Sequence, residues 1–243
     1  MLPDRIDRVR ELAAGWVDAG YSPAMSLLVA RRGVIVLHEG LGVMGPESDA
    51  SPLCSDTVFP VASVTKSLTA TLIMCLVEDG LIGLNRPISE TLPEFSGEWK
   101  DQVLLHHLLT HTWGEDVEGI FETLGKQAKD NAKPPPCEPT QHPKIDRLLQ
   151  AVYRAPLARP PGEVMYYAAF GYLLLGEIIR RVSGRAYADF AHERVFAPLG
   201  MQDSWLVVPE SARARIVRRS PDAPLGGPSR PRLATELENP GIA

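Results

Sequence analysis

FPVASVTKSLTATLIMCLVEDG, residues Phe59–Gly80, joins a Ser-x-x-Lys pair to a run of almost entirely apolar residues. The pair is Ser63 and Lys66, and positions three apart on a helix share one face, with their Cβ atoms about 5–6 Å apart. An amine so placed can hold or accept the proton of the hydroxyl, which makes Ser63 a candidate nucleophile. Gly80 stands where a capping glycine is expected, so the stretch predicts a buried helix that carries the pair at its start.

By itself the pair is weak evidence, because Ser and Lys are common and the spacing is expected roughly once by chance in a chain of this length. Its context strengthens it, since a lysine near the start of a buried helix needs a polar partner. Two further blocks follow in the chain. They are LLHHLLTHTWG, residues Leu104–Gly114, and PPGEVMYYAAFGYLLLGEIIRRVSGRAYADFAHERVFAPLGMQDSW, residues Pro160–Trp205.

Together with FPVASVTKSLTATLIMCLVEDGLIGLNRPISETLPEF, residues Phe59–Phe95, these blocks resemble the serine β-lactamase-like family. The family contains class C β-lactamases, DD-peptidases and related carboxylesterases. The resemblance implies an α/β (α+β) fold in which a mostly helical domain lies beside an antiparallel sheet. It also implies a serine hydrolase that uses a Ser-Lys-Tyr acyl-enzyme mechanism, with no cofactor and no metal.

The resemblance aligns Tyr167 with the tyrosine of the family's Tyr-x-Asn motif and implies that it is the second proton carrier. A phenol titrates near ~10, so Tyr167 needs Lys66 beside it to stabilise the phenolate. Tyr166 is the adjacent rival, and the spacing from Gly162 favours Tyr167. The alternative is an aromatic side chain that packs under the preceding Pro-Pro-Gly turn.

Two departures from the family pattern bear on the substrate. Ala169 replaces the asparagine of Tyr-x-Asn, and alanine has no side-chain amide to bind an acylamino group. Trp113 stands where the family often has serine, and it either adds an apolar wall to the cleft or packs under the following loop. We therefore expect a carboxylesterase acting on a small-molecule ester or amide. The alternatives are a β-lactamase or D-amino-acid peptidase, or a truncated inactive relative that serves as a binding or structural module.

The periodicity predicts three regions. Residues 1–58 form an amphipathic helix followed by a β-hairpin, residues 59–208 form the helical domain, and residues 209–243 form a loop rich in Arg and Pro. Within the second region, residues 114–143 are rich in Gly, Pro, Lys and Glu. They are expected to form a long loop that is either a lid on the cleft or disordered.

The family's third motif, a Lys-Thr-Gly or His-x-Gly strand, comes well after the block equivalent to Pro198–Met201, and this chain ends first. We therefore expect the chain to contain roughly the first two thirds of the family domain. Without the later strands the hairpin would have an unpaired edge, and the oxyanion hole would lose a donor that typically contributes ~10²–10³ in rate. The resemblance thus predicts ancestry more strongly than it predicts activity.

Composition excludes several other classes of protein. The 243 residues are 44% hydrophobic with a net charge of −5, and no basic patch alternates with aromatics, so neither nucleic acid nor a membrane is an expected partner. Three irregularly spaced cysteines suggest reduced thiols and a cytoplasmic location.

His107 and His111 lie one helical turn apart, but no third ligand completes a zinc spacing, and His111 is expected to bind loop backbone. The oligomeric state is not determined by the sequence.

Overall fold

The computed structural model describes residues 3–129 and 142–218. Contacts divide them into two compact units, residues 3–60 with 208–218 and residues 61–129 with 142–207. The described elements are mostly helices, with one two-stranded antiparallel sheet, which agrees with the predicted α/β (α+β) class. None of the helices in these ranges combines the length and apolarity needed to cross a bilayer.

The first unit contains the predicted amphipathic helix and hairpin. Its elements are α1 (Pro3–Asp18), β1 (Ala24–Arg31), β2 (Val34–Gly42) and the short α8 (Glu210–Arg213), which follows the other unit in the chain. The strands are joined at Arg32 and Gly33, whose φ angles of 51° and 77° suit the two-residue turns that match strand twist. Arg10 of α1 donates to both carboxylate oxygens of Glu39 on β2 at 2.9 Å, so an ion pair ties the helix to the hairpin.

The second unit is helical and contains most of the buried core. Its helices are α2 (Thr65–Glu78), α3 (Leu105–Leu109), α4 (Val117–Lys129), α5 (Pro143–Arg154), α6 (Phe170–Ser183) and α7 (Tyr187–Ala191), and α7 continues as one π-helical turn, His192–Phe196. The α2 helix packs against α6, and Leu72, Ile73 and Ile178 between them are almost completely buried. Gly80 has φ 72° and ends α2 as predicted, because glycine adopts a left-handed conformation without strain.

The prediction of a long loop over residues 114–143 is wrong for the first half of that segment, where α4 forms. The apolar residues Val117, Ile120 and Leu124 have helical spacing, and Ile120 is 1% exposed. The Asp116 side chain accepts a 3.0 Å hydrogen bond from the N–H of Gly119, which satisfies a donor of the first turn. A short amphipathic pattern was hidden by the composition of the whole segment. Residues 130–141, which include the proline run, lie outside the described residues.

Candidate active site

Ser63 and Lys66 meet where a 3₁₀ turn, Ala62–Val64, runs directly into α2. Ser63 thus precedes the α-helix and does not lie within its first turn. Lys66 Nζ donates a hydrogen bond of 3.2 Å to Ser63 Oγ. The lysine is 8% exposed, whereas the serine faces solvent. The hydroxyl is therefore open to a substrate while the amine contacts it from the protein side, an arrangement suited to a nucleophile and its base.

Tyr167 is the third member of this cluster. It lies in the turn before α6, and the Lys66 amine is 5.2 Å from the centre of its ring. A hydrogen bond with Ser63 is the largest influence that lowers the pKa of Tyr167 below its ordinary value of 10, and Lys66 lowers it further, while partial burial opposes both. The adjacent Tyr166 pairs by its backbone N–H with the carbonyl of His111 at 2.9 Å. Of the two tyrosines, the structure brings Tyr167 to the Ser63–Lys66 pair.

His111 forms one wall of the cluster. Its ring centre lies 4.6 Å from that of Tyr167 and 5.2 Å from that of Tyr172, and its backbone has φ 58°. The backbone N–H of His111 donates to the carbonyl of Leu108 at 3.3 Å and its carbonyl accepts the N–H of Tyr166 at 2.9 Å, whereas its Nδ1 is buried without a hydrogen-bond partner among the described residues. Burial, and then the charge of Lys66, lower the pKa of this imidazole, so the ring stays neutral against the lysine.

His107 has a local structural role. Its Nδ1 accepts a 3.1 Å hydrogen bond from the N–H of Leu104 at the start of α3. The described ranges, 3–129 and 142–218, contain no group of three or more His, Cys, Asp or Glu side chains placed to hold a metal ion.

Two alternatives were open for Trp113, an apolar wall of the cleft and packing under the following loop, and its burial contradicts the first. The side chain is 1% exposed and packs in the core, with its ring centre 5.8 Å from that of Phe95. Its Nε1 lies so near α6 that a Cβ added at Gly171 would approach it to 2.8 Å. A side chain enclosed in this way has no surface for a ligand, so the packing alternative describes Trp113.

Ala169 occupies the N-cap position of α6 and is half-buried. It supplies no side-chain acceptor to the first turn of the helix. The acceptor comes instead from Glu115, in a distant part of the chain. Its Oε1 accepts a 3.2 Å hydrogen bond from the N–H of Phe170. Glu115 was missed by the sequence reasoning, because an acidic residue after Gly114 carries no local sign that it reaches a helix 55 residues away.

Glu115 is also the most perturbed carboxyl group near the cluster. It is 6% exposed, and burial raises its pKa from 4.5 to about 7. The backbone N–H of Phe170, the side chain of Trp113 and the charge of Lys66 each act in the opposite direction, without cancelling the effect of burial. A carboxyl group that titrates near neutrality therefore lies within electrostatic reach of Lys66.

Comparison with known proteins gives consistent results. A family model described as Beta-lactamase matches residues 9–238. The chain is 31% identical over 199 residues to esterase EstB of Burkholderia gladioli, an alignment that covers 78% of this chain and 48% of that protein. It is 32% identical over 184 residues to penicillin-binding protein 4 of Amycolatopsis lactamdurans, with 74% of this chain and 42% of that protein covered.

Among solved structures, a class C beta-lactamase in complex with cefoxitin superposes with a TM-score of 0.70 at 24% identity, covering 87% of this chain and 54% of that chain. This likeness confirms the predicted fold of the β-lactamase and DD-peptidase type. The chain spans about half the length of the curated relatives it matches.

Proposed function

Since the chain belongs to the beta-lactamase family of serine hydrolases, we propose that it hydrolyses carboxylic esters through an acyl-enzyme formed on Ser63. Lys66 and Tyr167 carry the protons in this proposal. The observation that supports it most directly is the 3.2 Å contact of Lys66 Nζ with Oγ of the exposed Ser63, with the Tyr167 ring centre 5.2 Å from the same amine. A nucleophile in contact with two groups that can accept its proton is the requirement of covalent acyl transfer.

In the acylation step, Ser63 Oγ attacks the ester carbonyl while its proton moves to the Lys66–Tyr167 pair. The tetrahedral intermediate then collapses, the bond from the carbonyl carbon to the alkoxy oxygen breaks, and the departing alkoxide takes the proton from the pair. The lowered pKa of Tyr167 suits this exchange, because a phenol that ionises more readily accepts and returns a proton nearer to neutral pH.

In the deacylation step, water attacks the acyl carbonyl and gives a proton to the same pair. The bond from that carbon to Ser63 Oγ breaks, and the serine recovers its proton as the carboxylic acid leaves. No charge accumulates over the cycle, and each group returns to its starting state. His111 supports the cycle as a neutral wall, since its pKa is lowered by burial and by Lys66.

The choice of an ester over a β-lactam rests on Ala169. A methyl side chain offers no amide to an acylamino substrate, and a site without that hydrogen bond discriminates less strongly for such substrates. The identity of 31% to a protein named an esterase supports the same choice. The identity of 32% to a penicillin-binding protein keeps β-lactam or D-amino-acid peptide hydrolysis as the second candidate.

The location and the activity of the isolated chain also belong to the proposal. Cys54 and Cys75 are free thiols among the described residues, which favours a reducing compartment such as the cytoplasm. Because the relatives are about twice as long, an inactive chain acting as a binding module is the competing outcome.

The test is intact-mass measurement of the 243-residue chain after incubation with a fluorophosphonate, followed by turnover of short-chain p-nitrophenyl esters and of nitrocefin. We expect one adduct on Ser63 and faster turnover of the esters than of nitrocefin. Ser63→Ala should abolish the adduct, whereas Ser67→Ala, which changes an exposed serine in the first turn of α2, should not. Preferential nitrocefin turnover would establish the β-lactamase alternative, and the absence of both adduct and turnover would establish an inactive chain.

A further inference from the structure

His111 carries two structural costs at the edge of the cluster formed by Ser63, Lys66 and Tyr167. Its backbone lies in the left-handed region, at φ 58°, which side chains other than glycine seldom adopt. Its Nδ1 is buried and has no hydrogen-bond partner within residues 3–129 and 142–218. Backbone strain persists only where the surrounding structure enforces it, and it is concentrated at functional sites. The contacts of His111 therefore need an explanation beyond the loop in which it lies.

The first of these contacts joins two segments of backbone. The carbonyl of His111 accepts the N–H of Tyr166 at 2.9 Å, one residue before Tyr167. The N–H of His111 donates in turn to the carbonyl of Leu108, in α3, at 3.3 Å. The backbone from which Tyr167 projects is thereby tied to the end of α3 through His111.

The second contact is between side chains. The ring centre of His111 lies 4.6 Å from that of Tyr167 and 5.2 Å from that of Tyr172, separations typical of favourable aromatic pairs. The same two phenol rings have their centres 5.2 Å and 5.6 Å from the Lys66 amine. The hydroxyl of Tyr172 donates to the carbonyl of Leu109 at 3.2 Å, which anchors that ring to α3. His111 therefore packs against both aromatic rings that face the lysine.

The charge state of His111 suits this position. Burial is the larger influence that lowers the pKa of its imidazole below the ordinary value of 6.5, and the charge of Lys66 lowers it further. The titratable side chains in contact with the ring are Tyr167 and Tyr172, which are phenols that stay uncharged near neutral pH unless they are perturbed. A neutral imidazole can occupy this place without repelling the lysine, whereas an imidazolium could not.

We propose that His111 is a positioning residue for Tyr167. Its carbonyl fixes the peptide before the tyrosine, and its ring holds the phenol beside the Lys66 amine. Tyr167 is 58% exposed, so without a ring packed against it the phenol would sample other rotamers. The effect on catalysis rests on the proposed acyl transfer, whereas the contact between the two rings does not.

The variant His111→Asn tests the role of the ring. Asparagine adopts the left-handed conformation more readily than most residues, so the backbone contact is kept while the imidazole is lost. We expect the rate of fluorophosphonate labelling of Ser63 to fall by about 10- to 100-fold, because a misplacement of about 1 Å can cost about 10²-fold. An unchanged rate would overturn the proposal.

His106→Asn is the matched control. It removes an imidazole from α3 whose ring packs against His107, with the ring centres 4.2 Å apart. It should label Ser63 at the unmodified rate. An equal loss in His106→Asn and His111→Asn would show that any change in this segment impairs labelling, and it would also overturn the proposal.

A double-variant cycle separates the positioning of Tyr167 from a general disturbance of the loop. In the Tyr167→Phe background, His111→Asn should lower the labelling rate no further, because the hydroxyl that the ring positions is already absent. A purely structural role of His111 would lower the rate by the same factor in both backgrounds. That result would contradict the proposal.

A last measurement needs neither a reactive serine nor turnover. In the unmodified chain with carbon-13 labelled tyrosine, the Tyr167 resonance is identified by its loss in Tyr167→Phe. It should shift as His111 gains a proton, with a midpoint below the ordinary imidazole pKa of 6.5. Glu115 has a pKa of about 7, so any response to that carboxyl group should come at higher pH. The shift below 6.5 should disappear in His111→Asn and remain in His106→Asn.

This titration separates the positioning role from the proposed reaction. A Tyr167 resonance in the unmodified chain that does not respond to the protonation of His111 would overturn the positioning role, whatever the labelling rate. A chain that shows the shift but is not labelled at Ser63 would count against acyl transfer and support the contact between His111 and Tyr167.

Discussion

The amine of Lys66 lies 5.2 Å from the centre of the Tyr167 ring, although Lys66 is 8% exposed and Tyr167 is 58% exposed. A buried cation therefore faces a tyrosine that remains open to solvent. Positive charge at that distance stabilises the phenolate, and the same amine is hydrogen-bonded to Ser63. The two side chains are thus expected to act as one unit on the serine, with Lys66 protected from water and Tyr167 open to substrate.

The first prediction concerns this unit. Lys66→Ala and Tyr167→Phe should each lower the rate of Ser63 labelling and of any ester hydrolysis by ~10²–10⁴, the typical contribution of a positioned proton carrier. The double variant should be little worse than either single variant, because removal of one partner already disables the other. The measurement is the labelling rate for all three variants.

The neighbouring tyrosine provides the control for this prediction. Tyr166→Phe removes the hydroxyl of an adjacent tyrosine whose overall exposure is similar, 52% against 58% for Tyr167. It should label at the unmodified rate. A silent Tyr167→Phe together with an impaired Tyr166→Phe would show that the tyrosine is misassigned by one position.

The second prediction concerns the titration of Tyr167. Its pKa lies below 10 because of its hydrogen bond with Ser63 and the proximity of Lys66. The phenolate should therefore form at lower pH than in a free tyrosine, and ultraviolet difference absorbance should detect it. Ser63→Ala should move the titration towards higher pH, because it removes the largest stabilising contact. An unchanged titration curve in Ser63→Ala would show that the serine does not influence the phenol.

The third prediction concerns stability and Glu115. The folded state keeps this group protonated up to about pH 7, whereas the unfolded chain releases the proton near 4.5. Between these values the unfolded state binds fewer protons, so the contribution of Glu115 to stability is complete below pH 4.5 and falls as pH rises. The fall amounts to about 3 kcal/mol. The free energy of unfolding, measured with denaturant, should fall between these pH values in the unmodified chain by this amount more than in Glu115→Gln. Parallel plots of that free energy against pH for the two proteins would contradict the prediction.

The fourth prediction concerns two glycines near the same loop. Gly114 has φ 85°, and a Cβ there would approach the carbonyl oxygen of Arg159 to 2.2 Å. Gly114→Ala should destabilise the chain by about 1–3 kcal/mol and disturb the position of Glu115. Gly125→Ala, within α4 and with no atom near its added Cβ, should instead stabilise by about 0.5–1 kcal/mol. Thermal unfolding measures both, and equal effects would contradict the strain argument.

Local patterns in the sequence were sufficient for much of the fold. The apolar stretch after Ser63 forms α2, the hairpin forms where Arg32 and Gly33 allow a tight turn, and α5 and α6 follow their helical periodicity. Each of these elements depends on neighbours in sequence, so its signal lies within about 20 residues. The helix α4 also had such a signal, but the composition of the longer segment around it obscured the apolar positions Val117, Ile120 and Leu124 that define it.

The sequence by itself determined the Ser63–Lys66 pair, because two residues one helical turn apart must share a face and need no other part of the chain to meet. Only the tertiary structure decided which tyrosine joins them, that Trp113 is enclosed in the core, and that Glu115 reaches the start of α6. The physical reason is that these three outcomes depend on how α6 packs against the loop after α3. That packing brings together groups up to about 100 residues apart, whose burial and charge no local pattern encodes.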